Sequence, residues 1–97
     1  SLRLRRMDGV LEEAVFHSAT VRIARRLIEL LSIYGQEVED GQLLDVRLTQ
    51  SELAEMVGTS RVTVNKELAD MESAGIIKRV RRQIVITELN RLEELAE

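Results

Sequence analysis

Ninety-seven residues, 44 % hydrophobic and 32 % charged, leave room for one folded domain with a modest core and exclude a disordered tail. Aromatics make up only 2 % and cysteine is absent, so the core falls to Leu, Ile, Val, Met and Ala, and disulfides and thiolate metal sites are excluded, as suits a reducing cytoplasm. The formal charge of −3 excludes a chain that coats nucleic acid indiscriminately, so any DNA site must be local. No apolar run approaches the roughly 18 residues that span a bilayer and nothing resembles a signal peptide, so no membrane partner is expected.

The chain opens at Ser1 without a methionine and already in helical pattern, which reads as a piece of a longer protein. Leu4, Met7, Leu11 and Ala14 alternate in threes and fours, the spacing of a coiled-coil seam, with charged flanks. About two heptads are too few to hold a dimer alone, and a packed terminal helix is the competing reading. Phe16-His17-Ser18 interrupts the seam, and a second helix follows with Val21, Ala24, Leu27, Ile28, Leu31 and Tyr34 on one face, ended by Gly35. Gln36 to Gln42 reads as a polar, acidic loop, and Leu43 to Leu48 as a short strand with Leu44, Val46 and Leu48 on one face.

Thr49-Gln50-Ser51-Glu52 is a capping box, in which the Thr49 hydroxyl accepts from the Glu52 N–H and the Glu52 carboxylate reaches back. The helix behind it buries Leu53, Ala54 and Val57 and stops at Gly58. Thr59-Ser60 then offers a new cap for a helix to about Ala74, which buries Val64, Leu68 and Met71 and is closed by Gly75. Two strands, Ile76 to Val80 and Gln83 to Thr87, joined at Arg81-Arg82, form a hairpin. A last helix with Leu89, Leu92 and Leu95 covers the core. The fold class is mainly α with a small β component.

The segment from Gln50 to Leu68 carries the chemistry. Helices joined by a tight turn at Gly58 must cross steeply with their backbones close. Ala54, four residues before the glycine, is small enough for the crossing, and Val64, six after it, plugs the angle. This is a helix-turn-helix, and with the strand before and the hairpin after it a winged one. Its second helix protrudes by its first turn, free of core duties and able to enter a major groove. Arg61 has the fork for guanine O6 and N7, Val62 has methyls for a thymine methyl, and Lys66 can reach a guanine edge or a phosphate. Thr49, Gln50, Ser51, Thr59, Ser60 and Thr63 are short polar groups suited to phosphates near helix N-termini. Lys78, Arg79, Arg81 and Arg82 make the wing basic, with the acids expected in the 36–45 loop and the last helix.

Leu48 to Ala54 and Val57 to Val64 resemble the C-terminal domain of the Crp–Fnr transcription regulators, and the likeness in element order runs from about Phe16 to Thr87. The resemblance implies residues 1–17 as the end of a dimerisation helix with its hinge, and 18–97 as the winged helix-turn-helix domain. It implies a homodimer reading a palindrome in double-stranded DNA. It also implies a cyclic nucleotide or other effector held by an N-terminal sensor outside this chain, no cofactor in the chain itself, and contact with RNA polymerase near the 37–41 loop. On the family's pattern Arg61 and Lys66 fall on base readers and Thr49 and Ser60 on phosphate contacts. Two positions depart from it. Val62 stands where many members have glutamate and cannot accept from cytosine. Glu67 stands where an aliphatic residue is usual, and is expected beside Arg61 or Lys78. The Arg-Val-Thr-Val run resembles the cyanobacterial nitrogen-control branch, which reads a GTA-type half-site. The wing turn also lacks the common glycine.

Two other readings compete. A winged helix can serve as a protein-interaction module, but such a module has no need of Arg61 and Lys66 on a protruding turn. An enzyme needs a catalytic set, and His17, the single histidine, has no Ser–His–Asp partners, metal cluster or glycine-rich phosphate loop around it.

Overall fold

The computed structural model describes the backbone from residue 8 to residue 97, with side chains from residue 19 onward. The first helix, α1, runs unbroken from Asp8 to Tyr34. The expected interruption at Phe16-His17-Ser18 is therefore not a break in the helix. Apolar spacing reports the buried face and not the backbone, and no proline stands there to stop the hydrogen-bond ladder. No break marks the 17/18 boundary either. Of the predicted seam, Leu4 and Met7 lie outside the described residues, and Leu11 and Ala14 lie outside the described side chains.

The expected acidic loop is instead half of a hairpin. β1 (Gly35–Val38) pairs with β2 (Gly41–Leu44), Gln36 facing Leu43 across the ladder. The predicted strand over 43–48 is thus displaced, and the chain leaves the sheet after Leu44, where the Asp45 N–H donates to the Tyr34 carbonyl. Val46 and Leu48 still pack on the core from this irregular stretch. Then come α2 (Gln50–Val57), α3 (Arg61–Ser73), β3 (Ile77–Val80), β4 (Gln83–Ile86) and α4 (Leu89–Leu95). The sheet is antiparallel in the order β1-β2-β4-β3. Gly41, at φ 152°, lets β2 close on β4, since a Cβ there would strike the Ile86 carbonyl oxygen.

One core joins these layers. Ile23, Ala24, Leu27 and Leu31 of α1 meet Leu53 and Ala54 of α2, Val64, Leu68 and Met71 of α3, Leu44, Ile77 and Ile86 of the sheet, and Leu92 of α4. α2 and α3 contribute the stripes their periodicity predicts, whereas the buried face of α1 also takes in Ile23 and Leu30 and leaves Tyr34, expected on it, 42 % exposed. The Arg25 Nε donates to the Ala96 carbonyl and Arg91 to the Ala74 carbonyl, placing cations on helix C-terminal ends. No helix among the described residues is long and apolar enough to cross a membrane.

Candidate nucleic-acid interface

The capping box forms as read. The Glu52 N–H donates to Thr49 Oγ1 at 3.0 Å, and the Thr49 N–H donates to Glu52 Oε1 at 2.9 Å. Gly58 ends α2 in the left-handed conformation, φ 74°, where its N–H reaches the Ala54 carbonyl at 2.9 Å and the Thr59 N–H shares that oxygen. Ser60 caps α3, accepting from the Thr63 N–H at 3.0 Å and donating to Thr63 Oγ1 at 3.0 Å. That use leaves the Thr63 hydroxyl proton free to donate outward. Val64 is wholly buried at the crossing, whereas Val62, two residues earlier, is 76 % exposed. Val62 therefore takes no part in the buried core.

At the wing, Val80 pairs with Gln83, so Arg81-Arg82 form a two-residue turn. Arg81 takes φ 58°, a conformation usually left to glycine, at a cost on the order of 1 kcal/mol. The structure divides the other wing cations between the two sheet faces. Arg79 lies over α3, donating from Nη2 and Nε to Glu72 Oε1 at 2.9 and 3.1 Å, and from Nη1 to Asn65 Oδ1 at 3.4 Å. This arginine holds the Glu72 carboxyl below the ordinary glutamate range. Lys78, on the other sheet face, pairs with Asp40 at 2.6 Å. Lys78 and Arg79 therefore have acidic partners supplied by other elements.

Glu67 is likewise not beside Arg61 or Lys78. Its Oε1 accepts from the Thr20 hydroxyl of α1 at 2.9 Å. Lys66 is exposed and pairs with Asp70 one turn on, at 3.0 Å; that carboxylate raises the lysine above its ordinary value, chiefly by the hydrogen bond.

Between the wing and the start of α2 lies a cleft of about 430 Å³. Arg47, Arg81, Arg82 and Gln83 line it beside Thr49 and Gln50, over a floor of Leu48, Leu68 and Ile84. Gln50 turns across to α3, its Nε2 donating to Asn65 Oδ1 at 3.1 Å. Ser51 is exposed beside it, and Thr59 is half-buried in the turn. Arg61, one turn before Asn65, is exposed. Among the described residues, Arg47, Arg61, Arg81 and Arg82 have no ion pair or side-chain hydrogen bond, whereas the other cations do.

Sequence reading missed Arg47 and Asn65 as members of this surface. For Asn65 the available signal was its spacing of four from Arg61, which puts both on one helix side. Arg47 announced itself only as a cation two residues before the Thr49 cap. Among the described residues no group of three or more His, Asp or Glu could hold a metal ion.

The model of the Crp-like helix-turn-helix domain matches residues 21–95. The chain is 35 % identical over 94 residues to a CRP-like cAMP-activated global transcriptional regulator of Mycobacterium tuberculosis, covering 97 % of this chain and 42 % of that protein. It is 31 % identical over 77 residues to the anaerobic regulatory protein of Bacillus subtilis, covering 79 % of this chain and 32 % of that one. Among solved structures, the CO-dependent transcription factor CooA from Carboxydothermus hydrogenoformans superposes with a TM-score of 0.81 at 32 % identity, over 91 % of this chain and 41 % of its own. The chain thus spans less than half the length of the relatives it matches.

Proposed function

The chain belongs to the Crp-like helix-turn-helix family, and from that premise we propose that it is the sequence-reading part of a transcription regulator that binds a palindromic DNA site as a homodimer. α3 enters the major groove by its first turn, with Arg61 on a guanine edge, Val62 against a thymine methyl and Lys66 one turn behind. The phosphates on either side meet Thr49, Gln50, Ser51, Thr59, Ser60 and Thr63 and the wing arginines Arg81 and Arg82. Dimerisation runs through Leu4, Met7, Leu11 and Ala14, with residues 1–17 as the end of the dimerisation helix. Control comes from an N-terminal sensor, in keeping with relatives that are cAMP-activated or CO-dependent. Contact of the acidic β1–β2 hairpin with RNA polymerase belongs to the same proposal and rests on the resemblance alone.

One observation carries the reading: among the described residues, the cations left without protein partners are Arg47, Arg61, Arg81 and Arg82. Three of them line one cleft, and the fourth leads the protruding helix that Gln50 ties to it. Unpaired guanidinium groups around a helix N-terminus with spare hydroxyl donors suit a phosphate backbone. Selection of binding sites from a random double-stranded DNA pool tests this. A two-fold symmetric site with half-sites about one helical turn apart is expected, and recovery of no preferred sequence overturns it. Leu11→Glu is expected to shift sedimentation toward monomer, and an unchanged species overturns the dimer seam.

A further inference from the structure

We propose that Asn65 is a further specificity-determining residue, held so that it presents only a hydrogen-bond donor to the DNA and so discriminates against cytosine at one position of each half-site. The inference rests on the DNA-reading role of α3.

On that helix Asn65 lies roughly 60° around the axis from Val62 and about 6 Å along it from Arg61, within about two base steps of the base that Arg61 reads. It is exposed on the side that faces away from the core. A free asparagine is ambiguous, because its amide can offer donor, acceptor or both, and its common use is bidentate reading of adenine, accepting from N6 and donating to N7. This one is not free. Its Oδ1 accepts from Gln50 Nε2 at 3.1 Å and from Arg79 Nη1 at 3.4 Å, which occupies both lone pairs of that oxygen. The two donors come from different elements, the start of α2 and the wing. Arg79 is itself fixed by the Glu72 carboxylate, which accepts from Nε, Nη2 and the backbone N–H.

With Oδ1 engaged, the amide has only its Nδ2 hydrogens to offer. In the major groove those fit guanine O6 or N7, thymine O4 or adenine N7, but cytosine presents only its N4 amino donor there. Gln50 and Arg79 act as positioning residues, since each bears on the base through Asn65.

Site selection with the wild-type chain and with Asn65→Asp, Asn65→Ala, Gln50→Leu and Arg61→Ala tests the proposal, with circular dichroism confirming that each variant is folded. Aspartate keeps acceptors for Gln50 and Arg79 but turns an acceptor outward. Asn65→Asp is therefore expected to reverse the preference at a single position toward cytosine or adenine, whose amino groups can donate. Asn65→Ala and Gln50→Leu are expected to flatten that same position by roughly 3- to 10-fold, as the loss of one hydrogen bond does, and to leave the others unchanged. If Arg61→Ala changes the selected site while Asn65→Asp selects the wild-type sequence, the Asn65 assignment fails and the reading of α3 stands. If the wild-type chain selects nothing, both fail.

Discussion

Thr49 carries two roles, capping α2 and facing the basic cleft, and substitution can separate them. Its hydroxyl accepts from the Glu52 N–H at 3.0 Å, and the reciprocal bond closes at 2.9 Å. Thr49→Ala removes the acceptor from the start of a helix of only 8 residues, which costs about 1 kcal/mol of stability. For a domain of this size that lowers Tm by about 4–8 °C. Thr49→Asp keeps an acceptor in the capping position and adds a negative charge where the helix dipole favours one, so its Tm is expected within about 2 °C of wild type. DNA binding should rank the two the other way. At roughly 5 Å from a phosphate the added charge costs about 1–3 kcal/mol for effective dielectric constants between roughly 80 and 20, a loss of roughly 5- to 150-fold in affinity. Thr49→Ala loses one neutral donor and should bind less than about ten-fold more weakly. Thermal melts and fluorescence anisotropy on a selected duplex give both rankings. A Thr49→Asp protein that melts as low as Thr49→Ala refutes the capping argument. One that binds DNA as wild type refutes the placement of phosphate at this cleft.

Arg82→Ala should weaken binding to every sequence and flatten the plot of log affinity against log salt by about one unit of slope; a loss confined to one base identity contradicts a phosphate role. Asp70→Asn releases Lys66 from its 3.0 Å partner, so affinity should rise and the salt slope steepen by about one unit, and an unchanged slope places Lys66 away from the DNA. Glu72 is held below the ordinary glutamate range by its hydrogen bonds from Arg79. Its contribution to stability is therefore full above the unfolded-chain value, which includes neutral pH, and is lost as pH falls through the lowered folded value. Urea midpoints of wild type and Glu72→Gln should converge over that acid window, and parallel curves overturn the linkage.

The parts of this fold that were legible in the sequence are those settled by neighbours in the chain. The Thr49–Glu52 box, the Ser60 cap and the stop at Gly58 each depend on three or four consecutive residues. The buried stripes of α2 and α3 follow from periodicity alone. β1 was not legible, because Gly35 to Val38 are all exposed and carry no alternation, and the strand exists through its pairing with β2. Lys78 and Arg79 show the same limit at the site. Strand alternation sends them to opposite faces, but which face meets α3 is a tertiary fact, and so is the presence of Asp40 and Glu72 to receive them. The partner of Glu67 is Thr20, 47 residues away in the chain, which no local pattern could supply.

An acidic chain with a DNA-binding surface is less paradoxical once its cations are sorted by partner. Arg26 has Glu29, Lys66 has Asp70, Lys78 has Asp40 and Arg79 has Glu72, while Arg25 and Arg91 hold helix-end carbonyls. The four ion pairs are each neutral and add nothing to the net value of −3, which therefore says nothing of where the unpaired cations lie. A phosphate seated among Arg47, Arg81 and Arg82 meets those guanidinium groups at contact distance, and feels more distant acids only through a screening length of about 8 Å at physiological salt. A phosphate at this cleft therefore meets a surface whose local balance is positive. The selectivity of that surface must come from short-range groups held in place, and Asn65, braced from α2 and from the wing, is held in that way.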